Sequence, residues 1–539
     1  MDGLGVTGMP SLLQHRGWRW TLAATSGLLS ALAFPPCDLG WIAFIGWMPL
    51  IVGLQGAPPR EAAGLGYVGG LTFFLATIWW VINTMTTYGG MPLLLSLVAL
   101  ALLCGVLAGY TAAFAGLLSL GRRRLGLPDS LLPVAAAVLW TALELLRTYL
   151  FSGFPWALLG YTQYRQASVR LVAAALGVYG VSALVLLVNG ACAVVLTGLL
   201  WPKPGSTSRR HLLLPVALVV AVALGVVGYV RGLWRDVTGG PTVRVGLLQG
   251  NIDQAVKWDR RHQTNTLAIY ERLARRVAAD RPSLIVWPET AVPFFLRREP
   301  ELGPRVRALA AETGVPMLMG SPDVGEDGLL YNSAFLVGTD ERLLGRYDKR
   351  HLVPFGEYVP LRRVFFFLDK LVVGIGDFGR GRAATVFDAG WGRFSVMICY
   401  EVIFPAEVRD FTRAGAQFLV NITNDAWFGR SGAPYQHLAM ATLRAVENGT
   451  YLVRAANTGI TAIIAPSGEI LSETPLFTEA AMTGTIRLRQ GQTPYSRYGD
   501  VFAWVCVLCV VAGCLLLLGA RWGIGSRGMK TGKGGKHDS

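Results

Sequence analysis

Eight stretches of mostly apolar residues, each near the length of a bilayer-crossing helix, constrain this chain more than any other feature. They fall at about residues 18–34, 39–54, 64–84, 91–118, 131–150, 169–200, 211–230 and 501–521. A spanning helix needs about 20 such residues. The second run is short and the sixth long, so their boundaries are soft. Of 539 residues, 52% are hydrophobic and only 15% charged, where an average soluble domain carries about a quarter charged. That composition excludes a disordered chain and argues against a wholly soluble one. Arg16 and Arg19 open the first run, but Pro35-Pro36 follows it and no small-residue cleavage site is evident, so it does not read as a removable signal peptide.

Net charge is +15, and the basic residues sort by loop. With the N-terminus placed in the cytoplasm, Arg16, Arg19, Arg60, residues 122–124, Lys203, Arg209, Arg210, Arg521, Arg527, Lys530, Lys533 and Lys536 all fall on the inner side. Short inner loops hold the excess of Lys and Arg, so both termini are expected inside. The charge is then a topology signal, and nucleic acid is not an expected partner. Seven scattered cysteines form no disulfide framework and six unpaired histidines suggest no metal site. Cys506-x-x-Cys509 lies within an apolar run and reads as packing. Glu144 and Arg147, three apart in the fifth run, read as a structural pair.

Between the last two runs the composition changes. The expected division is a membrane bundle over 1–235, an extracytoplasmic α/β domain over 242–488, a final span over 501–521 and a basic disordered tail over 522–539. Strands are predicted at 243–248, 283–287, 315–320, 333–337, 392–399, 417–422, 451–456, 461–465 and 481–486, with a helix over 266–279. Strands separated by helical stretches indicate a layered α/β fold.

That block holds one cysteine, Cys399, at the end of a predicted strand. Alone it reads as a small core residue. A thiol nucleophile needs a base and a cation near it. Glu289 follows Val286-Trp287-Pro288, where a strand ends; Lys349 precedes Arg350 and His351. Singly, these read as a turn residue and a solvated cation.

Taken together, Trp287-Pro288-Glu289, Lys349 ahead of Pro354-Phe355-Gly356-Glu357, and Ile398-Cys399-Tyr400-Glu401 resemble the nitrilase superfamily in kind and order. The resemblance implies an α-β-β-α sandwich, with Glu289 as general base, Lys349 stabilising the tetrahedral intermediate and Cys399 forming an acyl-thioester. A nitrilase-like block held between membrane runs further resembles the apolipoprotein N-acyltransferases. Gln249-Gly250-Asn251, Lys257-Trp258, residues 351–358, Asn424-Asp425-Ala426-Trp427-Phe428-Gly429 and Asn457-Thr458-Gly459-Ile460-Thr461 carry that likeness, with Glu144-Leu145-Leu146-Arg147 and Gly153-Phe154-Pro155-Trp156 in the membrane part. Arg350 departs from the pattern, which would have histidine.

This family likeness implies a two-step transfer at the outer face of a bacterial inner membrane. An acyl chain passes from a phospholipid to Cys399, and then to the α-amine of a diacylglyceryl-cysteine on an apolipoprotein. It implies no cofactor. Glu357, Tyr400 and Glu401 are the supporting candidates; Trp258 and Trp427 are the substrate-binding ones. The aromatic run at 364–368 is expected to dip into the membrane and guide acyl chains. Two rival functions are weighed. A membrane-tethered amidase would use the same three residues on a small amide, with water as acceptor. A transporter with an inert outer domain fits poorly, because seven runs precede the block and one follows it rather than two similar halves, and Glu144 is the only obvious intramembrane carboxylate.

Overall fold

The computed structural model describes residues 16–201, 239–358 and 378–527, with isolated positions between 217 and 232. The first half is helical: α1 (Arg16–Leu32), α2 (Pro59–Ile78), α3 (Leu93–Arg124), α4 (Leu132–Tyr149) and α5 (Ala173–Leu200). Proline opens α2 and α4 within the first turn, where its missing N–H costs nothing. Glycines bring α2 against α3. A Cβ at Gly66 would lie 2.3 Å from the Thr111 carbonyl, and one at Gly70 would lie 1.8 Å from the Thr111 hydroxyl. Small residues permit this approach where lipid supplies no hydrophobic drive between helices.

Eight spans are not confirmed. Among the described residues five stretches are long and apolar enough to cross a membrane: Pro59–Ile78, Leu93–Arg124, Asp129–Ser152, Ala173–Leu200 and Val501–Gly519. The run at 18–34 becomes the 17 residues of α1. At 1.5 Å per residue that is about 25 Å, short of a roughly 30 Å hydrocarbon core. The run at 39–54 is broken into Gly40–Ile42, Ala43–Gly46 and Met48–Gly53. Pro49 cannot continue a preceding helix and starts the last piece. The run at 211–230 lies mostly outside the described residues, as do the aromatic run at 364–368 and tail residues 528–539.

The second half is a sandwich of two six-stranded sheets. The first contains β1 (Thr242–Gln249), β2 (Leu284–Val286), β3 (Met317–Val324), β4 (Leu330–Val337) and β5 (Leu343–Asp348). The second contains β6 (Phe387–Asp388), β7 (Arg393–Ile398), β8 (Phe418–Thr423), β9 (Leu452–Ala456), β10 (Ala462–Ile464) and β11 (Ile470–Glu473). The last strand, β12 (Ala480–Arg487), returns to the first sheet, giving the orders β12-β1-β2-β3-β4-β5 and β11-β10-β9-β8-β7-β6. Strands β1 to β3 run parallel, as do β7 to β9. Helices α6 (Arg260–Ala278) and α7 (Leu302–Thr313) cover the first sheet. Helices α8 (Pro405–Arg413) and α9 (Ala433–Asn448) cover the second.

Alternation explains the layering, since successive strand residues face opposite ways. Leu284, Val286, Leu318, Ala334 and Leu336 join Val396, Ile398 and Val420 between the sheets. Their neighbours Ile285, Trp287, Met317, Met319, Phe335 and Val337 turn outward onto Leu267, Tyr270, Leu273, Val306 and Leu309 of the covering helices. Helix α6 begins six residues before its predicted start, because Asp259 accepts from the Arg261 N–H and caps it.

Sandwich and bundle meet along α9, which is buried along nearly its whole length. Its Gln436 spends all four hydrogen bonds on the bundle. The amide donates to the Pro35 and Thr77 carbonyls at 2.9 and 3.0 Å, and accepts from Trp80 and Trp156 Nε1 at 3.2 and 2.7 Å. At its other end Glu447 pairs with Arg444 at 2.9 Å and accepts the Val178 N–H at 2.8 Å. That N–H is free because α5 breaks at Gly177, whose φ is +70°. A Cβ there would lie 2.5 Å from the Tyr495 ring, so only glycine fits. The chain then leaves through α10 (Val501–Arg527).

Candidate active site

Three strand ends converge. Glu289 follows β2, Lys349 follows β5 and Cys399 follows β7. In α/β sheets the crevice beyond the carboxyl ends of the strands is the usual place for a ligand. All three are buried, at 6%, 1% and 9% exposure. Lys349 Nζ lies 3.9 Å from Glu289 and 2.9 Å from Glu357. Asn332 on β4 stands between the two carboxylates, donating to Glu289 at 2.8 Å and to Glu357 at 3.0 Å. The other Glu289 oxygen accepts the Asn424 N–H at 2.8 Å, beyond the end of β8. Glu357 is fixed in turn by the Val353 N–H at 2.8 Å.

The electrostatics separate donor from acceptor. Burial would lower Lys349, but Glu357, Glu289 and Cys399 together hold it above the ordinary lysine value. It therefore stays charged. Burial pushes the Cys399 thiol up, and the Glu289 charge adds to that, against the opposing pull of Lys349. The resting thiol is thus protonated at neutral pH and needs a base as it attacks. A second buried cation, Lys257, is brought down to about 8 by burial against the pull of Glu289 and Cys399. Its Nζ donates to the Glu289 carbonyl at 3.1 Å.

Cys399 itself occupies an unusual turn. Strand β7 passes directly into the 3₁₀ turn Cys399–Ile403 with φ +53° at the cysteine. A non-glycine residue in that region costs on the order of 1–2 kcal/mol, and it persists only where surroundings enforce it. Glu401 is one enforcer. It accepts from the Ile398 N–H and Tyr347 hydroxyl at 2.7 Å each, and from the Arg350 and His351 N–H groups at 2.6 and 3.1 Å. One carboxylate thereby ties the cysteine turn to the segment after Lys349. Burial raises its pKa to about 7 against the Ile398 N–H.

The remaining candidates are placed differently. The Tyr400 ring lies 5.2 Å from Phe404 and 5.8 Å from His351. Trp258 is exposed, at 36%, beside buried Lys257. Trp427 packs its ring 5.7 Å from Tyr88, and its carbonyl accepts from Thr84 at 3.0 Å, so it touches the bundle. Glu144 and Arg147 pair at 4.0 Å, as expected. They also pin the loop before α5, Glu144 accepting the Leu159 N–H at 2.7 Å and Arg147 donating to the Ala157 carbonyl at 3.2 Å. Asn332, His437 and Arg454 went unseen in the sequence, though a lone histidine inside the apolar run of α9 was a signal.

Residues 244–493 match the family model described as carbon-nitrogen hydrolase, and residues 26–191 match the apolipoprotein N-acyltransferase N-terminal domain. A curated relative from Geobacter metallireducens, named apolipoprotein N-acyltransferase, is 46% identical over 90% of this chain and 93% of its own length. One from Methylococcus capsulatus with the same name is 38% identical over 89% and 92%. Among solved structures, Saccharomyces cerevisiae Nit3, a member of the nitrilase superfamily, aligns at 19% identity with a TM-score of 0.36, covering 46% of this chain and 90% of that one. The two matched regions and the two full-length relatives agree: the chain belongs to the apolipoprotein N-acyltransferase family.

Proposed function

We propose that this protein is a membrane N-acyltransferase that acylates lipoproteins through a thioester on Cys399. The observation that carries this is the buried grouping of a charged Lys349, a hydrogen-bonded Glu289 and a protonated Cys399 thiol at three strand ends, in a chain of this family. Glu289 takes the thiol proton as sulfur attacks the ester carbonyl of a phospholipid. Lys349 faces the oxyanion that forms. The ester C–O bond breaks, and Glu289 returns the proton to the departing lysophospholipid. The α-amine of a diacylglyceryl-cysteine then attacks the thioester, Glu289 accepts the amine proton, the C–S bond breaks as the amide forms, and Glu289 passes that proton to the departing Cys399 thiolate.

Glu357 and Glu401 hold the lysine and the cysteine turn; Tyr400, Trp258 and Trp427 border the donor and acceptor. A phospholipid donor is supported by the closeness of the site to the bundle, since Phe428 packs 4.9 Å from Trp80 and the preceding residue, Trp427, lies against Tyr88. The distribution of Lys and Arg supports a periplasmic sandwich with both termini cytoplasmic. The test is purified protein given phospholipid with a labelled acyl chain and a diacylglyceryl lipopeptide. Label should appear in an amide on the free-amine lipopeptide and not on its N-acetylated form. Label appearing only as free fatty acid, with turnover of small amides, would favour the amidase alternative.

A further inference from the structure

We propose that His437 is a positioning residue that holds the nucleophile turn through the Cys399 carbonyl; this rests on Cys399 being the acylated residue. Enforcement of the +53° φ at Cys399 comes from two sides. Glu401 holds the N–H of Ile398 before it. His437 Nε2 lies 3.2 Å from the carbonyl of Cys399 itself. A carbonyl oxygen only accepts, so Nε2 carries the proton and donates.

The ring has one orientation. Its Nδ1 lies 3.0 Å from both Asp425 Oδ1 and Arg454 Nη2. Asp425 accepts from Arg454 at 2.6 Å and from the Thr423 hydroxyl at 2.9 Å, and Arg454 is itself held by Asn421 and the Ile460 carbonyl. His437 and Arg454 are fully buried and Asp425 is 1% exposed, so this charged chain is sealed from solvent. It ends on the backbone carbonyl of the nucleophile.

The same helix turn connects the device to the membrane part. Trp156, from the loop before α5, packs its ring 5.7 Å from the imidazole. Gln436, the preceding residue, takes up the Pro35 and Thr77 carbonyls and both indole N–H groups. Docking of the bundle and alignment of the thiol therefore share two adjacent side chains. Misplacement of a reacting atom by about 1 Å can cost a hundredfold in rate, whereas the polar contacts of the His437 ring are all with protein groups.

The test compares wild type, Cys399→Ala, His437→Leu and His437→Gln, all full-length in detergent, for single-turnover thioester formation from phosphatidylethanolamine. Leucine keeps the volume without a donor; glutamine restores a donor. His437→Leu should acylate at least about tenfold more slowly with the half-saturating lipid concentration within about threefold of wild type, and His437→Gln should recover to within about fivefold. If His437→Leu does not elute as a folded protein, His437→Met takes its place. A donor-free variant acylating at the wild-type rate overturns the proposal, as does a glutamine variant no faster than it. Failure of wild type to form a Cys399-dependent adduct would instead overturn the catalytic reading, whatever the His437 variants do.

Discussion

At the scale of single residues, the thiol of Cys399 is set for attack only when its proton can leave. Burial, then Glu289, hold it above the usual thiol range against Lys349. Its thiolate fraction is therefore small at neutral pH and grows with each pH unit. Iodoacetamide labelling of Cys399 should climb through pH 9 without levelling, where an ordinary thiol flattens above about 8.5. A plateau near that ordinary value would contradict the assignment. Glu289→Gln keeps an oxygen for the Asn424 N–H but loses the base, and should slow acylation by about 10² to 10⁴; an unchanged rate would remove Glu289 from the mechanism. The sequence singled out Glu289 and Cys399 because each follows a predicted strand, and Lys349 only through the flanks that carry the family likeness. Asn332 and Arg454 were not legible. Each is a polar residue inside a mostly apolar strand, and its partners lie on other strands or loops.

At the scale of elements, the break in α5 and the carboxylate that caps it form one joint between sandwich and bundle. Gly177→Ala adds a Cβ at φ +70° and 2.5 Å from Tyr495. It should cost on the order of 2 kcal/mol or more and lower the melting temperature in detergent by several degrees. No change in melting temperature would mean the break is not fixed by that contact. The strands that became β1 to β4 and β7 to β10 were readable as short apolar runs, because most of their residues are buried. The edge strands β5, β6 and β11 were not. Their residues are largely half-buried or exposed, so no period of two marks them, although β5 delivers Lys349. Apolar run length read 39–54 as one helix because hydropathy ignores the stop that Pro49 imposes.

At the scale of the whole molecule, a sandwich of soluble type is joined to a lipid-facing bundle so that one helix, α9, borders both. The proposed topology, argued from the distribution of Lys and Arg, puts the sandwich outside the cytoplasm. In a variant lacking the native exposed Cys37, a Glu341→Cys thiol on the sandwich should react with a membrane-impermeant maleimide in spheroplasts, and an Arg124→Cys thiol only after permeabilisation. The reverse pattern would invert the topology. The most direct test of the chemistry is intact-protein mass spectrometry after incubation with phospholipid alone. Wild type should gain one acyl mass that hydroxylamine removes, and Cys399→Ala should gain none. An unmodified wild type that still acylates lipopeptide, or a Cys399→Ala variant that retains turnover, would contradict a thioester on Cys399.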